Sequence, residues 1–340
     1  MEVDFDCPSP RFSLTSPESI SEFRAHLDAY GYAVVASAAD SNQVATLKSL
    51  QWDLLEGPTK CLDRNDHQTW EHPAWYPNPS NGIVPGAGHS EFMWQLRQLP
   101  KVLQAFSVIW KTPPSSLITS FDVCNAFRPY VNDPTHLTDG GWWHLDQNSI
   151  LPSKSGKVCV QGLVSLTDCD ATTGGLCVIP GSHLAHASLC ESSKLGNALK
   201  QDFVPIDANH DILKQPKKLV TCLAGDLCVW DSRLVHCNTP ADMDVVARKL
   251  AEKPAPSKEL LRQVGYVCMT PRSFASRETL RLRRIAYETG ISTSHWPHCN
   301  VNVPRFEWDG TAGPSVNDPD AATPLVRSLV GYNDSKCAIS

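Results

Sequence analysis

The chain has 340 residues, 41% of them hydrophobic and 19% charged, with ten tryptophans and a formal net charge of −6. That composition describes a globular chain with large rings to bury and excludes a disordered or fibrous one, while length alone fits one large β-rich domain or two ordinary ones. The acidic balance supplies no field for a phosphate backbone, which makes nucleic acid a disfavoured partner, and no stretch is apolar for long enough to span a bilayer.

In chain order, residues 1–14 read as a lead-in. Ser16-Pro17-Glu18 then offers an N-cap, a proline at the first helical position and an early acid, and predicts a helix through Phe23, Leu27 and Tyr30 that stops at Gly31. Residues 32–35 predict a short strand. Asp40-Ser41 opens a second helix with Val44, Leu47, Leu50 and Leu54 at helical spacing. Residues 57–90 are too irregular for a regular element and suit a lid or a ring-pinned loop. A helix over 91–110 is expected to break near Pro100.

After Pro113-Pro114 the character changes to short β-prone runs: 117–127, 142–146, 158–167, 176–179, 219–223, 226–236 and 263–269. Such a series, punctuated by Gly, Pro and Asp, predicts a sandwich or jelly roll with the earlier helices packed outside it. An inserted helix is expected within 241–261 and a closing one over 274–286. The expected organisation is one domain over 15–307, with a helical part (15–112), a β core (113–270) and a closing helix and loop (271–307). A tail over 308–340 follows, and its stretch 308–324, rich in Gly, Pro and Asp, is expected to be mobile and surface-laid.

Thirteen cysteines lie scattered without CxxC pairs, mostly inside apolar runs. That pattern fits buried reduced thiols and a cytoplasmic location better than a disulfide framework. The N-terminus lacks the charged and apolar regions of a secretory signal. The last four residues, Cys337-Ala338-Ile339-Ser340, match the prenylation pattern, which without a second signal allows only a weak lipid anchor at Cys337. Nothing in the sequence sets an oligomeric state.

The chemistry centres on Gly140-Gly141-Trp142-Trp143-His144-Leu145-Asp146-Gln147-Asn148. On a strand, the i, i+2 spacing puts His144 and Asp146 on one face. An imidazole and a carboxylate so placed form two corners of the 2-His-1-carboxylate triad that holds Fe(II) and leaves positions open for a co-substrate and O2. Three features follow in order: Gly174-Gly175-Leu176-Cys177-Val178-Ile179-Pro180-Gly181-Ser182-His183, then Gly225-Asp226 through Trp230-Asp231-Ser232-Arg233 to His236, then the strand that Arg262 begins.

With these in place the chain resembles the phytanoyl-CoA dioxygenase family of Fe(II)- and 2-oxoglutarate-dependent oxygenases, over about residues 20–290. The resemblance implies a double-stranded β-helix core in which His144, Asp146 and His236 hold the iron. It implies an oxo acid bound bidentately and decarboxylated to succinate and CO2, with oxidation of a C–H bond of a small or medium organic substrate. Asp146 stands where similar halogenases carry Gly or Ala, which favours hydroxylation or a related oxidation over halogenation.

A buried arginine is needed for the distal carboxylate of 2-oxoglutarate. Arg248 is nearest the family spacing but sits in the inserted helix, so Arg262, with Val264 and Tyr266 on the same face, is preferred. Asn238 and Gln161 are further co-substrate contacts. Asp122, Asn125, Trp143 and Asn148 are candidate substrate contacts, with Trp142 and Arg128 weighed beside them. His183 and His186 read as structural, and His295 and His298 as a loop packed on the barrel. Two other readings stay open: a catalytically silent metal- or ligand-binding jelly roll, and an oxygenase of modified nucleobases, which would need a basic groove.

Overall fold

The computed structural model describes residues 3–58, 61–71, 74–193, 202–299, 301 and 317–332. Strict alternation along the central strands sets the architecture. In β8 (Val160–Ser165), Val160 and Val164 face one way and Gln161 and Leu163 the other. In β12 (Leu227–Asp231), Leu227 and Val229 oppose Cys228 and Trp230, and in β14 (Arg262–Pro271), Val267 and Met269 oppose Arg262, Val264 and Tyr266. A sheet apolar on both faces needs a layer on each side.

That sheet runs β2 (Arg11–Phe12), β3 (Tyr32–Val35), β12, β8, β14, β6 (Cys124–Phe127), β4 (Ile83–Val84), with β5 (Leu117–Thr119) paired to the far end of β14. A six-stranded sheet faces it, ordered β1 (Val3–Asp4), β11 (Lys217–Leu219), β9 (Gly175–Val178), β13 (His236–Thr239), β7 (His144–Leu145), β10 (Val204–Pro205). Leu163, Cys228, Trp230 and Val264 of the first meet Leu176, Val178 and Leu219 of the second in one apolar cluster. Together they form the double-stranded β-helix, with helices flanking it.

The outer face of the larger sheet carries the main core. Helices α1 (Pro17–Tyr30), α2 (Ser41–Glu56), α3 (Glu91–Arg97) and α4 (Pro100–Trp110) bring Phe23, Leu27, Leu47, Leu55, Phe92, Leu96, Val102 and Phe106 onto it. Each such side chain contributes roughly 1.5–3 kcal/mol by leaving water. Gly265 shows how closely α3 approaches, because a Cβ there would stand 2.3 Å from Leu96 Cδ1. Helix α1 starts as predicted, with Ser16 capping Ser19 N–H, and ends at Gly31 with φ 79°, whose N–H donates to Leu27 O. On α2 the buried stripe is Val44, Leu47, Gln51 and Leu55, so Leu50 and Leu54 are only partly covered. Gln51 joins the buried face because its Nε2 donates to Asn125 O and its Oε1 accepts from Gln263 Nε2.

Several expected elements differ. The run 117–127 breaks into β5 and β6, with residues 120–123 leaving regular pairing. The run 226–236 divides into β12 and β13, since Arg233 clamps Asp231 with Nε and Nη2 at 2.9 and 2.7 Å and Leu234 N–H closes a turn on Asp231 O. His236 therefore begins a strand of the opposite sheet and does not end β12. The expected lead-in contributes β1 and β2, two-residue strands too short to show periodicity. The closing helix spans Arg277–Glu288, and the insert holds a helix at Met243–Ala251.

The expected tail contains a helix, Pro324–Val330, with Val326, Leu329 and Val330 buried in the main core. Arg283 fastens it: the buried guanidinium donates to the carbonyls of Leu329, Val330, Pro297 and Thr119. The Cys337 anchor lies outside the described residues. Among those described, no helix is long and apolar enough to cross a membrane, and all twelve described cysteines are free thiols.

Candidate metal centre

Strands β7 and β13 pair so that His236 stands directly opposite His144, with ring centroids 4.3 Å apart. Each imidazole donates Nδ1–H to the carbonyl two residues before it, His144 to Trp142 O at 3.1 Å and His236 to Leu234 O at 2.9 Å. A carbonyl can only accept, so the neutral tautomer is fixed and both Nε2 lone pairs are free for a cation. Asp146, tied by its N–H to Ser232 O at 3.0 Å, turns its carboxylate toward them. Oδ1 lies 3.4 Å from His144 Nε2 and Oδ2 lies 3.2 Å from His236 Nε2.

All three ligand atoms fall within 4.8 Å of one another. Neighbouring ligands of an octahedral ion with bonds of about 2.1 Å stand about 3 Å apart, so the observed spacings need little contraction to receive one. Burial, then the neighbouring His236, holds the His144 imidazole below its ordinary value. Burial alone would raise the Asp146 carboxyl, but the two imidazoles outweigh it and hold it well below the usual carboxylate range. The donor set is thus two imidazole nitrogens and one carboxylate, suited to a hard-to-intermediate divalent ion.

Gln161 reaches across from the larger sheet and donates Nε2 to Asp146 Oδ2 at 2.8 Å. Its contact is therefore with the carboxylate that faces the two imidazoles. Two rings bracket His144: Trp142 stacks at 4.9 Å and Phe203 at 4.6 Å, each more than a third exposed. Sequence reasoning weighed Trp142 but had no signal for Phe203, a lone ring just before the two-residue β10.

The centre opens on a cavity of about 180 Å³ between the sheets, lined by the triad, Arg262, Asn238, Gln161, Asp122, Asn125, Trp142 and Tyr266, among others. Of the two candidate arginines, Arg262 is the one in this lining. It is buried, its guanidinium lies 4.6 Å over the Phe127 ring, and Nη1 donates to Asn238 Oδ1 at 3.0 Å. Asn238 in turn donates Nδ2 to Thr138 Oγ1 at 2.8 Å. Arg262 Nε has no partner among the described residues. A buried cation with an unused donor, beside three metal-ligand atoms, fits an anionic ligand. Gly175 keeps this corner open, since a Cβ there would meet Cys169 Sγ at 2.3 Å and Arg262 Cζ at 3.6 Å.

Arg248 lies on the inserted helix, with Nε donating to Asp244 O. Trp143 packs into the cluster of Leu145, Cys177 and Ile179 and is not among the lining side chains. Asn148 is buried and caps Ile150 N–H, also away from the lining. Arg128 pairs with Glu71 and lies over Trp75. His183 and His186 bond the carbonyls of Asp28 and Gln147, and Ser182 Oγ accepts from Val235 N–H, so the Pro-Gly-Ser-His turn positions backbone. Glu71, Asp133 and His136 also gather ligand atoms, but Glu71 is exposed and already paired with Arg128.

Comparison with known proteins agrees with this architecture. The family Phytanoyl-CoA dioxygenase (PhyH) matches residues 16–240, a span that holds the triad and ends before Arg262. Ava biosynthesis cluster protein O of Aspergillus versicolor is 26% identical over 312 residues, covering 88% of this chain and 90% of that protein. A putative phytanoyl-CoA dioxygenase of Dictyostelium discoideum is 23% identical over 61% of this chain and 67% of its own length. Among solved structures, the hypothetical protein JW0805 of Escherichia coli superposes with a TM-score of 0.58 at 15% identity, covering 96% of this chain and 86% of that one. The epimerase SnoN, solved with Fe3+, alpha ketoglutarate and nogalamycin RO, gives 0.50 at 15% identity over 75% and 85%. With the family match spanning the motifs that build the centre and two facing sheets carrying them, the chain belongs to the phytanoyl-CoA dioxygenase family.

Proposed function

We propose that this protein is an Fe(II)- and 2-oxoglutarate-dependent oxygenase that hydroxylates or otherwise oxidises a small or medium organic molecule. The observation that carries the reading is the meeting of His144, Asp146 and His236 in one cavity with Arg262, whose Nε lacks a partner among the described residues. Iron with a bound oxo acid would supply the chemistry that activates O2 and oxidises a C–H bond.

The chain's own groups have separable tasks. His144, Asp146 and His236 would hold the ion on one side only, leaving the cavity side for the oxo acid and O2. Arg262 would receive the distal carboxylate with Nε and a second N–H, while Asn238 keeps the guanidinium from turning away. Gln161 steadies the liganding carboxylate. Leu163, Leu176 and Trp230 shield the cavity from bulk water, which strengthens each of these polar contacts. The biosynthetic-cluster name of the Aspergillus relative supports a natural-product-like substrate, and free thiols throughout the described residues support a reducing, cytoplasmic setting.

The test is succinate formation. Purified protein given Fe(II), 2-oxoglutarate and air should release succinate even without its substrate, and His144→Ala should abolish it. Iron binding without succinate in the unaltered protein favours the silent metal-binding reading.

A further inference from the structure

The cavity has a second polar end, away from Arg262. Arg262 pairs with Phe127 at one end of β6, and Tyr266 N–H donates to Val123 O beyond the other. Four residues of strand, roughly 13 Å, separate the two ends. Asp122 lines the cavity at this far end, next to Val123, and Asn125 lines it about halfway, opposite Val264.

Both are acceptors short of donors. Among the described residues, the Asp122 carboxylate accepts one hydrogen bond, from Val123 N–H at 2.9 Å. Neither Arg97 nor His295, the basic side chains nearby, donates to this carboxylate among the described residues. Arg97 sends Nη1 to Gly88 O and Nη2 to the backbone carbonyl of Asp122, and His295 Nε2 has no partner. Asn125 is only 4% exposed and is oriented by Nδ2 donating to Asn81 O at 2.6 Å, which leaves its Oδ1 without a donor. A buried acceptor such as Asn125 Oδ1 left without a donor is destabilising, and a ligand donor would relieve it. Arg262 is the only Lys or Arg among the lining residues, and the reading above assigns it to the oxo acid.

Resting on the oxygenase reading of this site, we infer that Asp122, with Asn125 on the same wall of the cavity, receives a hydrogen-bond donor of the substrate. The end of the substrate that enters the cavity is then an amine or an alcohol, not a carboxylate or a thioester. Burial raises the Asp122 carboxyl, the response of an acid with no cation bound against it, and a protonated amine reverses that response. Trp142, Trp230, Leu163 and Val123 are also in the lining and suit a hydrocarbon body. Tyr266 also lines the cavity.

The test is binding of four six-carbon probes, hexylamine, hexanol, hexanoate and hexanoyl-CoA, to protein loaded with Mn(II) and 2-oxoglutarate, so that Asp146 and Arg262 are already engaged, by calorimetry and thermal shift. The unaltered chain should bind the amine and the alcohol at least about tenfold more tightly than the acid or the thioester, and Asp122→Asn should lose most of the preference for the amine over the alcohol. Asp122→Asn keeps the acceptor for Val123 N–H, and the selectivity of the unaltered chain is a readout that needs no variant. Equal binding of hexanoate, no binding of hexylamine or hexanol, or an unchanged amine preference in Asp122→Asn overturns the inference. Succinate formation by the unaltered protein without any of these probes is scored separately, so failure of the oxygenase reading and failure of this inference give different results.

Discussion

Gln161 of one sheet donates to Asp146 of the loop after β7 in the other, at 2.8 Å, so the liganding carboxylate is held from across the cavity. Gln161→Leu removes that bond at nearly constant volume. It should weaken divalent metal affinity by about 10- to 100-fold while the fold survives, the usual range for loss of a group that orients a ligand. Calorimetry with Mn(II) under reducing conditions checks it, and unchanged affinity would show that Asp146 is positioned by its backbone alone.

Arg262→Gln should raise the 2-oxoglutarate concentration for half-maximal succinate formation by about 10- to 100-fold, matching the about 1.5–3 kcal/mol of a charge-assisted contact. Asn238→Ala should act in the same direction with a smaller effect, because it frees the guanidinium without removing it. Arg248→Gln, on the outer helix, should change nothing measurable in the same titration.

The histidines outside the centre make the fold acid-sensitive. Burial, helped by Arg97, holds His89 down to about 3, and burial, helped by Lys154, holds His298 down to about 4. In the unfolded chain both protonate near 6.5. Between those values the unfolded state holds protons that the folded state refuses, so stability rises with pH in that window. Their stability contribution is intact above about 6.5 and is lost progressively as the pH falls toward 4. Melting temperatures of metal-free protein at pH 7.5, 6 and 5 should fall in that order. His89→Gln should lower the value at pH 7.5 and flatten the decline.

Arg283→Ala leaves the carbonyls of Leu329, Val330, Pro297 and Thr119 without their donor. At about 1–3 kcal/mol for each buried acceptor left unmatched, partly relieved by water, the loss should be at least about 3 kcal/mol. Urea unfolding measures it, and protease cleavage near residue 317 should accelerate as the helix Pro324–Val330 detaches.

How much of this was legible follows from how local each signal is. The cap at Ser16, the stop at Gly31 and the break near Pro100 are written in single residues, and the structure has them. His144 and Asp146 are legible from a strand spacing, His236 from the family resemblance that the turn-flanked motifs carry, and Arg262 because alternation puts it on one face with Tyr266. The division of 226–236 was not legible, since the Asp231–Arg233 clamp that turns the chain is a side-chain event inside an apolar run. Trp142 and Trp143 could not be told apart without the exact start of β7. Phe203, Asn81 and the docking of Pro324–Val330 depend on partners distant in sequence, which no window along the chain contains.

The central claim is that three side chains from β7, its following loop and β13 hold one iron beside a site for an oxo acid. Anaerobic titration with Fe(II) and 2-oxoglutarate, followed by the visible charge-transfer absorption of iron bound to a 2-oxo acid, tests it most directly. The account predicts a band that saturates at one iron per chain and is lost in both His144→Ala and His236→Ala. A band of full strength in either variant, or none in the unaltered protein, would contradict it.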